Sequence, residues 1–344
     1  MNETKNTPRL RKILSILGSK DQATRVEISS LLNTVYPISK PTLARDLKYL
    51  LTSNQIQSRG AGRSTAYFIP SAHPLLKPTG LSGYFELDPD RRTNAQKQFN
   101  SEIFNQLSGL FTIDEQAELK HIYKPFPKNP NVRELERFVI ELSWKSSKIE
   151  GNTYTLLETE SLIKDAKSAP NKSTSDATMI LNHKFAFETI LDDPQSFTNL
   201  NTSSILQLHN KLISNLNIPT GIRTTKVGIS GTAYIPPDNQ WQLTEYFGTM
   251  LNCINASTFP LEKALIASAM IAYLQPFADG NKRTARMLTN AILIANNYYP
   301  LSYRSVDENE YKQALILFFE TNNLYHLKRL FVDQYRFALS TYSL

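Results

Sequence analysis

The densest group of side chains able to do chemistry is Gln275-Pro276-Phe277-Ala278-Asp279-Gly280-Asn281-Lys282-Arg283-Thr284-Ala285-Arg286. It follows an apolar run, Ala264 to Leu274, that reads as the end of a buried helix. Pro276 stops that helix, because it has no N–H to donate and disfavours helical geometry at the residue before it. Asp279-Gly280-Asn281 has the composition of a turn opening a second helix, carried on from Thr284 to Ala295. A helix start offers free backbone N–H groups and a positive dipole end, both of which attract phosphate. Arg283 and Arg286, three residues apart, fall on one helix face and can clamp two neighbouring phosphoryl groups. Asp279 stands at the mouth of the loop, where a carboxylate can hold Mg²⁺ against the same phosphates. These residue types describe a polyphosphate cradle with one metal ligand. A turn rich in Asp, Gly, Asn and Lys before a basic helix is also ordinary surface composition.

The spacing of the whole string resembles the signature of the Fic/Doc family, His-x-Phe-x-Asp/Glu-Gly-Asn-Gly/Lys-Arg-x-x-Arg. Its best-known members transfer AMP from ATP to a protein hydroxyl. Phe277, Asp279, Gly280, Asn281, Lys282, Arg283 and Arg286 match, and Gln275 stands where the family has histidine. The resemblance implies ATP and Mg²⁺ as cofactors. Gly280, Asn281, Lys282, Arg283 and Arg286 would bind the nucleotide, Asp279 the metal, and the family's general base falls at Gln275. A glutamine amide can orient a hydroxyl but cannot take its proton, and loss of a general base costs about 10²–10⁴ in rate. A natural pseudoenzyme, an active protein using another base, and a substitution introduced to silence the site all remain open. Lys282 replaces a common glycine. In Doc-like relatives a lysine there accompanies phosphate transfer, so AMP and phosphate transfer both stay open. The chain's histidines are His73, His121, His183, His209 and His326; His183 and His209 read as packed helix residues.

Two companion stretches extend the resemblance. The apolar positions from Asn131 to Leu142 recur at helical spacing, and Gly151 ends the pattern. Ser146-Ser147-Lys148-Ile149-Glu150-Gly151 resembles the family's inhibitory motif, which implies that Glu150 pairs with Arg286 and that Ser146 and Gly151 belong to the same device. Further on, Val227, Ile229, Tyr234 and Ile235 flank a Ser230-Gly231 turn in the pattern of a short hairpin. The resemblance makes that hairpin a flap docking a target protein through Val227, Ile229 and Tyr234. Trp241 reads as core.

The rest of the central region patterns as helices over 155–166, 176–191, 201–214, 243–255, 261–274 and 280–297, with 168–175 as an exposed loop. Residues 308–320 and 324–340 read as packed helices. The expected fold is mainly α, an all-helical Fic core with a β-hairpin flap, preceded by a winged helix-turn-helix.

The last element rests on charge and pattern. Residues 1–70 carry eleven basic and four acidic side chains, the whole formal net charge of +7, while the remainder balances. Helical patterns at 10–17, 25–32 and 39–53, then short strands at 56–59 and 66–69 around Gly60-Ala61-Gly62-Arg63, make three helices and a hairpin. Lys40, Thr42, Arg45 and Lys48 would face outward from the third helix, and Arg59 and Arg63 would sit on the wing, an arrangement suited to double-stranded DNA. Winged helices also bind proteins. The expected domains are 1–70, a linker 71–100, the Fic domain 101–300 with its inhibitory helix at 131–151, and C-terminal helices 301–344.

One cysteine, Cys253, excludes an intramolecular disulfide and a multi-cysteine zinc site. No signal peptide and no run of membrane-spanning length is visible, so a soluble, cytoplasmic protein is expected. The partners expected are ATP, a target protein (another chain or itself) and duplex DNA, and no membrane. The sequence leaves open whether the chain forms a homo-oligomer. The function expected is a Fic-type adenylyltransferase restrained by Glu150 and impaired at Gln275. The alternative is a DNA-binding transcriptional regulator that senses nucleotide through a dead Fic domain.

Overall fold

The computed structural model describes residues 8–344, except 19, 21, 54, 71–72 and 93–94. It divides into two compact units, residues 1–93 with 323–326 and residues 94–322 with 327–344.

In the first unit, helix α1 (Pro8–Gly18) leads through strand β1 (Ala23–Thr24) into α2 (Arg25–Asn33) and α3 (Lys40–Thr52). Thr24 closes a capping box with Glu27 and so fixes the start of α2. Ser39 caps α3, and Pro41 sits in its first turn, where a missing N–H costs nothing. Strands β2 (Gln57–Arg59) and β3 (Ala66–Phe68) complete a three-stranded antiparallel sheet of order β1-β3-β2, with Ala23 opposite Tyr67 and Ser58 opposite the same residue. Gly60 turns the chain with φ of +85°, and a Cβ there would lie 2.9 Å from the Ser64 carbonyl oxygen. Ile13, Leu17, Ile28, Leu32, Leu43, Leu47 and Leu50 form one core. Strand β1 is too short to be seen in the sequence pattern. The stretch read as a linker contains a short helix, α4 (Leu81–Phe85).

The second unit is helical: α5 (Ile113–His121), α6 (Val132–Ile149), α7 (Leu156–Asp165), α8 (Thr174–Asp192), α9 (Thr202–Ile213), α10 (Gln240–Ala256), α11 (Pro260–Leu274), α12 (Asn281–Ala295), α13 (Glu308–Thr321) and α14 (Tyr325–Thr341). Every residue of α11 from Leu261 to Leu274 is buried, as a helix apolar on all sides must be. Together α11 and α12 form the centre, against which α6, α8, α9, α10 and α13 pack. Helix α5 was not anticipated; its weak amphipathic pattern hides it, although Thr112 and Glu115 form a capping box. Among the described residues, no helix is long and apolar enough to cross a membrane.

Two expectations fail here. Residues 227–235 form no hairpin ladder. The chain turns at Ser230-Gly231, but the returning limb spends the Ile235 N–H on the Lys97 carbonyl and bridges in parallel to Gln98. Trp241 is not core: it projects from the first turn of α10 and is 86% exposed.

Candidate functional site

The loop between α11 and α12 is built by helix termination. Gln275 closes α11 in the left-handed conformation, φ 49°, and Gly280 opens α12 at φ 80°. A Cβ on Gly280 would lie 3.1 Å from Ile213 and 3.3 Å from His209, so glycine is required both for its conformation and for space. Asn281 clamps the loop: its Oδ1 accepts from the Phe277 N–H at 2.9 Å and its Nδ2 donates to the Phe277 carbonyl at 2.8 Å. Its side chain is thus structural, and its contribution to an anion site is the backbone N–H. At the start of α12 the N–H groups of Asn281, Lys282 and Arg283 have no intrahelical acceptor.

That helix start opens into a cleft of about 450 Å³. Its lining is polar at Glu150, Gln275, Asp279, Asn281 and Lys282 and apolar at Val227, Ile229, Leu315, Ile316 and Phe319. A pocket that joins apolar side chains to a helix N-terminus with free N–H groups suits a ligand with an apolar part and an anionic part. Lys312, also on the rim, is exposed and was not singled out by sequence.

Asp279 is 69% exposed at the cleft. Its Oδ1 accepts from the Gly280 N–H at 2.6 Å and its Oδ2 from Arg283 Nη2 at 3.2 Å, which orients the carboxylate. Among the described residues no group of three or more His, Cys, Asp or Glu could cage a metal. A single oriented carboxylate beside an anion site nevertheless fits Mg²⁺, which keeps its waters and takes the rest of its ligands from substrate phosphates.

The two arginines do not face the cleft as a free clamp. Arg283 is buried, bonded to Asp279 and to the Leu212 carbonyl, and burial lowers its pKa from the ordinary value. Arg286 is fully buried and carries Ser146 and Glu150. Its Nε donates to Ser146 Oγ at 2.9 Å, and its Nη2 to the Ser146 carbonyl at 2.8 Å and to Glu150 Oε1 at 2.9 Å. The second carboxylate oxygen of Glu150 lies 3.0 Å from Lys282 Nζ. Burial pushes the Glu150 carboxyl up, but the charges and hydrogen bonds of Arg286 and Lys282 outweigh it and bring it down to about 2. Glu150 is therefore ionised and held by two cations. Gly151 follows at φ 97°, ending α6.

Gln275 lines the cleft and donates from Nε2 to the Ala272 carbonyl at 2.6 Å, which leaves its amide oxygen as an acceptor without basicity. Neither nearby histidine replaces a base. His209 stacks on Phe277 at 3.7 Å and bonds Thr284 through Nδ1; burial, with the charge of Arg283, lowers its pKa to about 3. His183 bonds Ser146 Oγ and the Met179 carbonyl, and burial lowers it likewise to about 3. Neither lines the cleft. His209 backs the loop at Phe277, and His183 holds Ser146 beside Arg286.

The segment expected to dock a target splits in its roles. Val227 and Ile229 are half-buried and line the cleft. Tyr234 does not dock anything: it is 2% exposed, stacks on Tyr273 and donates to the Tyr273 carbonyl at 2.8 Å. An aromatic anchor and an aromatic contact look alike in sequence. Arg223, which sequence reasoning missed, ties this segment to the loop. Its N–H and Nε donate to the carbonyls of Pro276 and Gln275, and Nη1 and Nη2 to those of Thr225 and Pro237. In the first unit Lys40, Arg45 and Lys48 are exposed on α3, while Thr42 is partly spent on the Ser39 cap. Arg59 is bonded to Gln22 and lies over Phe68. Arg63 lies in the turn Gly62–Ser64, and its side chain lies outside the described part of the structure.

Residues 199–293 match the family model described as the Fic/DOC family. The chain is 27% identical over 228 residues to a protein adenylyltransferase Fic of Nematostella vectensis, covering 64% of this chain and 51% of that protein. It is 29% identical over 172 residues to the protein of that name from Drosophila yakuba, covering 49% and 35%. The chain thus spans about half the length, or less, of these curated relatives. Among solved structures it superposes on Fic-1 from C. elegans with a TM-score of 0.53 at 20% identity, covering 70% of this chain and 68% of that one. A Fic family protein from Desulfovibrio desulfuricans gives 0.51 at 20% identity, covering 69% and 70%. Over residues 199–293 the chain is similar to the Fic/DOC family, and its fold is shared with solved Fic proteins.

Proposed function

We propose that the cleft binds ATP with Mg²⁺ and is built to transfer AMP to a Ser, Thr or Tyr hydroxyl of a protein, in a chain restrained by Glu150 and deprived of its general base at Gln275. The observation that carries this reading is the shared carboxylate. Glu150 occupies Arg286 and Lys282 at the helix start where phosphates would bind, beside a carboxylate suited to Mg²⁺. The adenylyltransferase names of the relatives support the type of transfer.

Each residue then has a task. The N–H groups of Asn281, Lys282 and Arg283 and the Lys282 ammonium receive phosphate oxygens. Asp279, oriented by Arg283, would hold the metal, which supplies charge neutralisation on the phosphates. Val227 and Ile229 with Leu315, Ile316 and Phe319 exclude water beside the reacting groups. The side-chain amide oxygen of Gln275 would accept a hydrogen bond from the incoming hydroxyl and so position it. It removes no proton, and the rate falls by about 10²–10⁴ on that account.

Restoring both functions tests the reading. The double variant Gln275→His, Glu150→Gly should label itself or added protein from ATP labelled at the α-phosphate and not at the γ-phosphate. Label from the γ-phosphate alone would assign phosphate transfer, as Lys282 allows. Label from neither would remove the transferase reading.

A further inference from the structure

The first unit carries a charge arrangement that the cleft does not use. From Ile28 to Phe85 the sequence holds six basic residues, and Asp46 is its sole acid. The fold removes that acid from the surface. Asp46 is buried beneath α3, where Arg9 of α1 grips it through two hydrogen bonds of 2.6 and 2.9 Å. The acid preceding it among the described residues, Glu27, is likewise committed: it caps α2 through Thr24 and lies 3.5 Å from Lys20.

Among the exposed charged side chains of α3, all are therefore cations. Leu43, Leu47 and Leu50 point into the core, and Lys40, Arg45 and Lys48 are exposed, with no carboxylate of α3 beside them. With its side chains an α-helix is about 10–12 Å across, which a DNA major groove about 12 Å wide admits, and Lys40 to Lys48 spans about 12 Å along its axis. The strand-turn-strand of β2 and β3 has no acidic residue in its sequence either.

We infer that α3 is the element through which this protein binds double-stranded DNA, with Lys40, Arg45 and Lys48 contacting phosphates. The inference is independent of the reading of the cleft. An acidic protein surface would also be attracted to these cations. What favours a duplex is a set of exposed cations along one helix with no exposed carboxylate on that helix, because an evenly charged polyanion rewards each cation by counterion release.

The full-length chain should be titrated into a fluorescent mixed-sequence duplex of about 20 base pairs, two helical turns, between about 50 and 200 mM salt. Binding should weaken steeply with salt. The variant Lys40→Gln, Arg45→Gln, Lys48→Gln should lower the log–log salt slope by about 2.7, at about 0.9 per phosphate contact. A control variant, Lys128→Gln, Arg133→Gln, Lys211→Gln, loses the same charge from exposed positions of the other unit and should bind like the parent. All six residues are exposed, and circular dichroism melting would verify that both variants fold. Absence of duplex binding at about 50 mM salt would overturn the inference. So would a triple variant that binds like the parent, or a control that loses as much. An acidic polypeptide retained through the same three residues, with no duplex bound, would assign the surface to protein instead.

Discussion

Arg286 Nη2 and Glu150 Oε1 lie 2.9 Å apart across 136 residues of sequence, and the guanidinium they share with Ser146 is fully buried. A buried ion pair of this kind contributes little net stability, but removing one partner is costly, roughly 3–5 kcal/mol, because a lone charge remains inside. Glu150→Gly should therefore lower the melting temperature of the free protein. ATP with Mg²⁺ should recover much of the loss, since phosphate replaces the carboxylate. Calorimetry with and without nucleotide checks this; a variant as stable as the parent, or one not rescued by ATP, contradicts the assignment.

The latch should ignore pH near neutrality. Glu150 titrates at about 2 in the folded chain, against about 4.3 unfolded, so its contribution is complete above about pH 4.5 and is lost as pH falls towards 2. His183 and His209 titrate at about 3 folded, against about 6.5 unfolded. The unfolded chain takes up those protons first, so stability falls from about pH 6.5 downward, by about 1.4 kcal/mol per pH unit for each histidine. Urea midpoints against pH should show both slopes in the parent. In Glu150→Gln the fall below about pH 4.5 should be shallower than in the parent, while the fall from about pH 6.5 to 4.5 stays the same. Parallel curves for the two proteins over that range would contradict the shared carboxylate.

Arg223 holds the segment 225–237 on the loop through the carbonyls of Gln275, Pro276, Thr225 and Pro237. Arg223→Met keeps much of the volume and strands three of these acceptors, at about 1–3 kcal/mol each if they remain dry. Hydrogen exchange should rise in 223–237 before the rest of the unit. Unchanged exchange there would mean that Tyr234 and the Ile235 bond to Lys97 fix the segment without Arg223.

Two aromatics exchange their expected roles, and their substitutions should follow the structure. Tyr234→Ala removes a stacked, buried ring and should cost about 3–5 kcal/mol. Trp241→Ala removes an exposed one and should stay within about 0.5 kcal/mol. Denaturant unfolding of both variants decides, and the reverse order would refute the placement.

What sequence could reveal follows from the range of the interaction concerned. The starts of several helices were legible because caps are local, as Thr24, Ser39, Thr155 and Asn201 each hold the next turn within three residues. Helix α5 shows that a capping box without a strong apolar pattern is not enough. The loop after Pro276 was legible because its turn, glycine and basic residues are contiguous. Pairs joined only by the fold were not, including His209 on Phe277, His183 on Ser146, and Arg223 on the carbonyl of Gln275. The hairpin failed for the same reason: alternation around Ser230-Gly231 says nothing of the competing partner at Lys97.

The central claim is that two separate features silence the site, a carboxylate on the cations and an amide in place of a base. Transfer from ATP labelled at the α-phosphate should be measured for the parent, Glu150→Gly, Gln275→His and the double variant, with nucleotide affinity recorded for each. The account predicts tighter ATP binding in both proteins lacking Glu150 and strong labelling only in the double variant. Strong labelling by Glu150→Gly with Gln275 retained would contradict it, because the amide would then be no obstacle to proton removal.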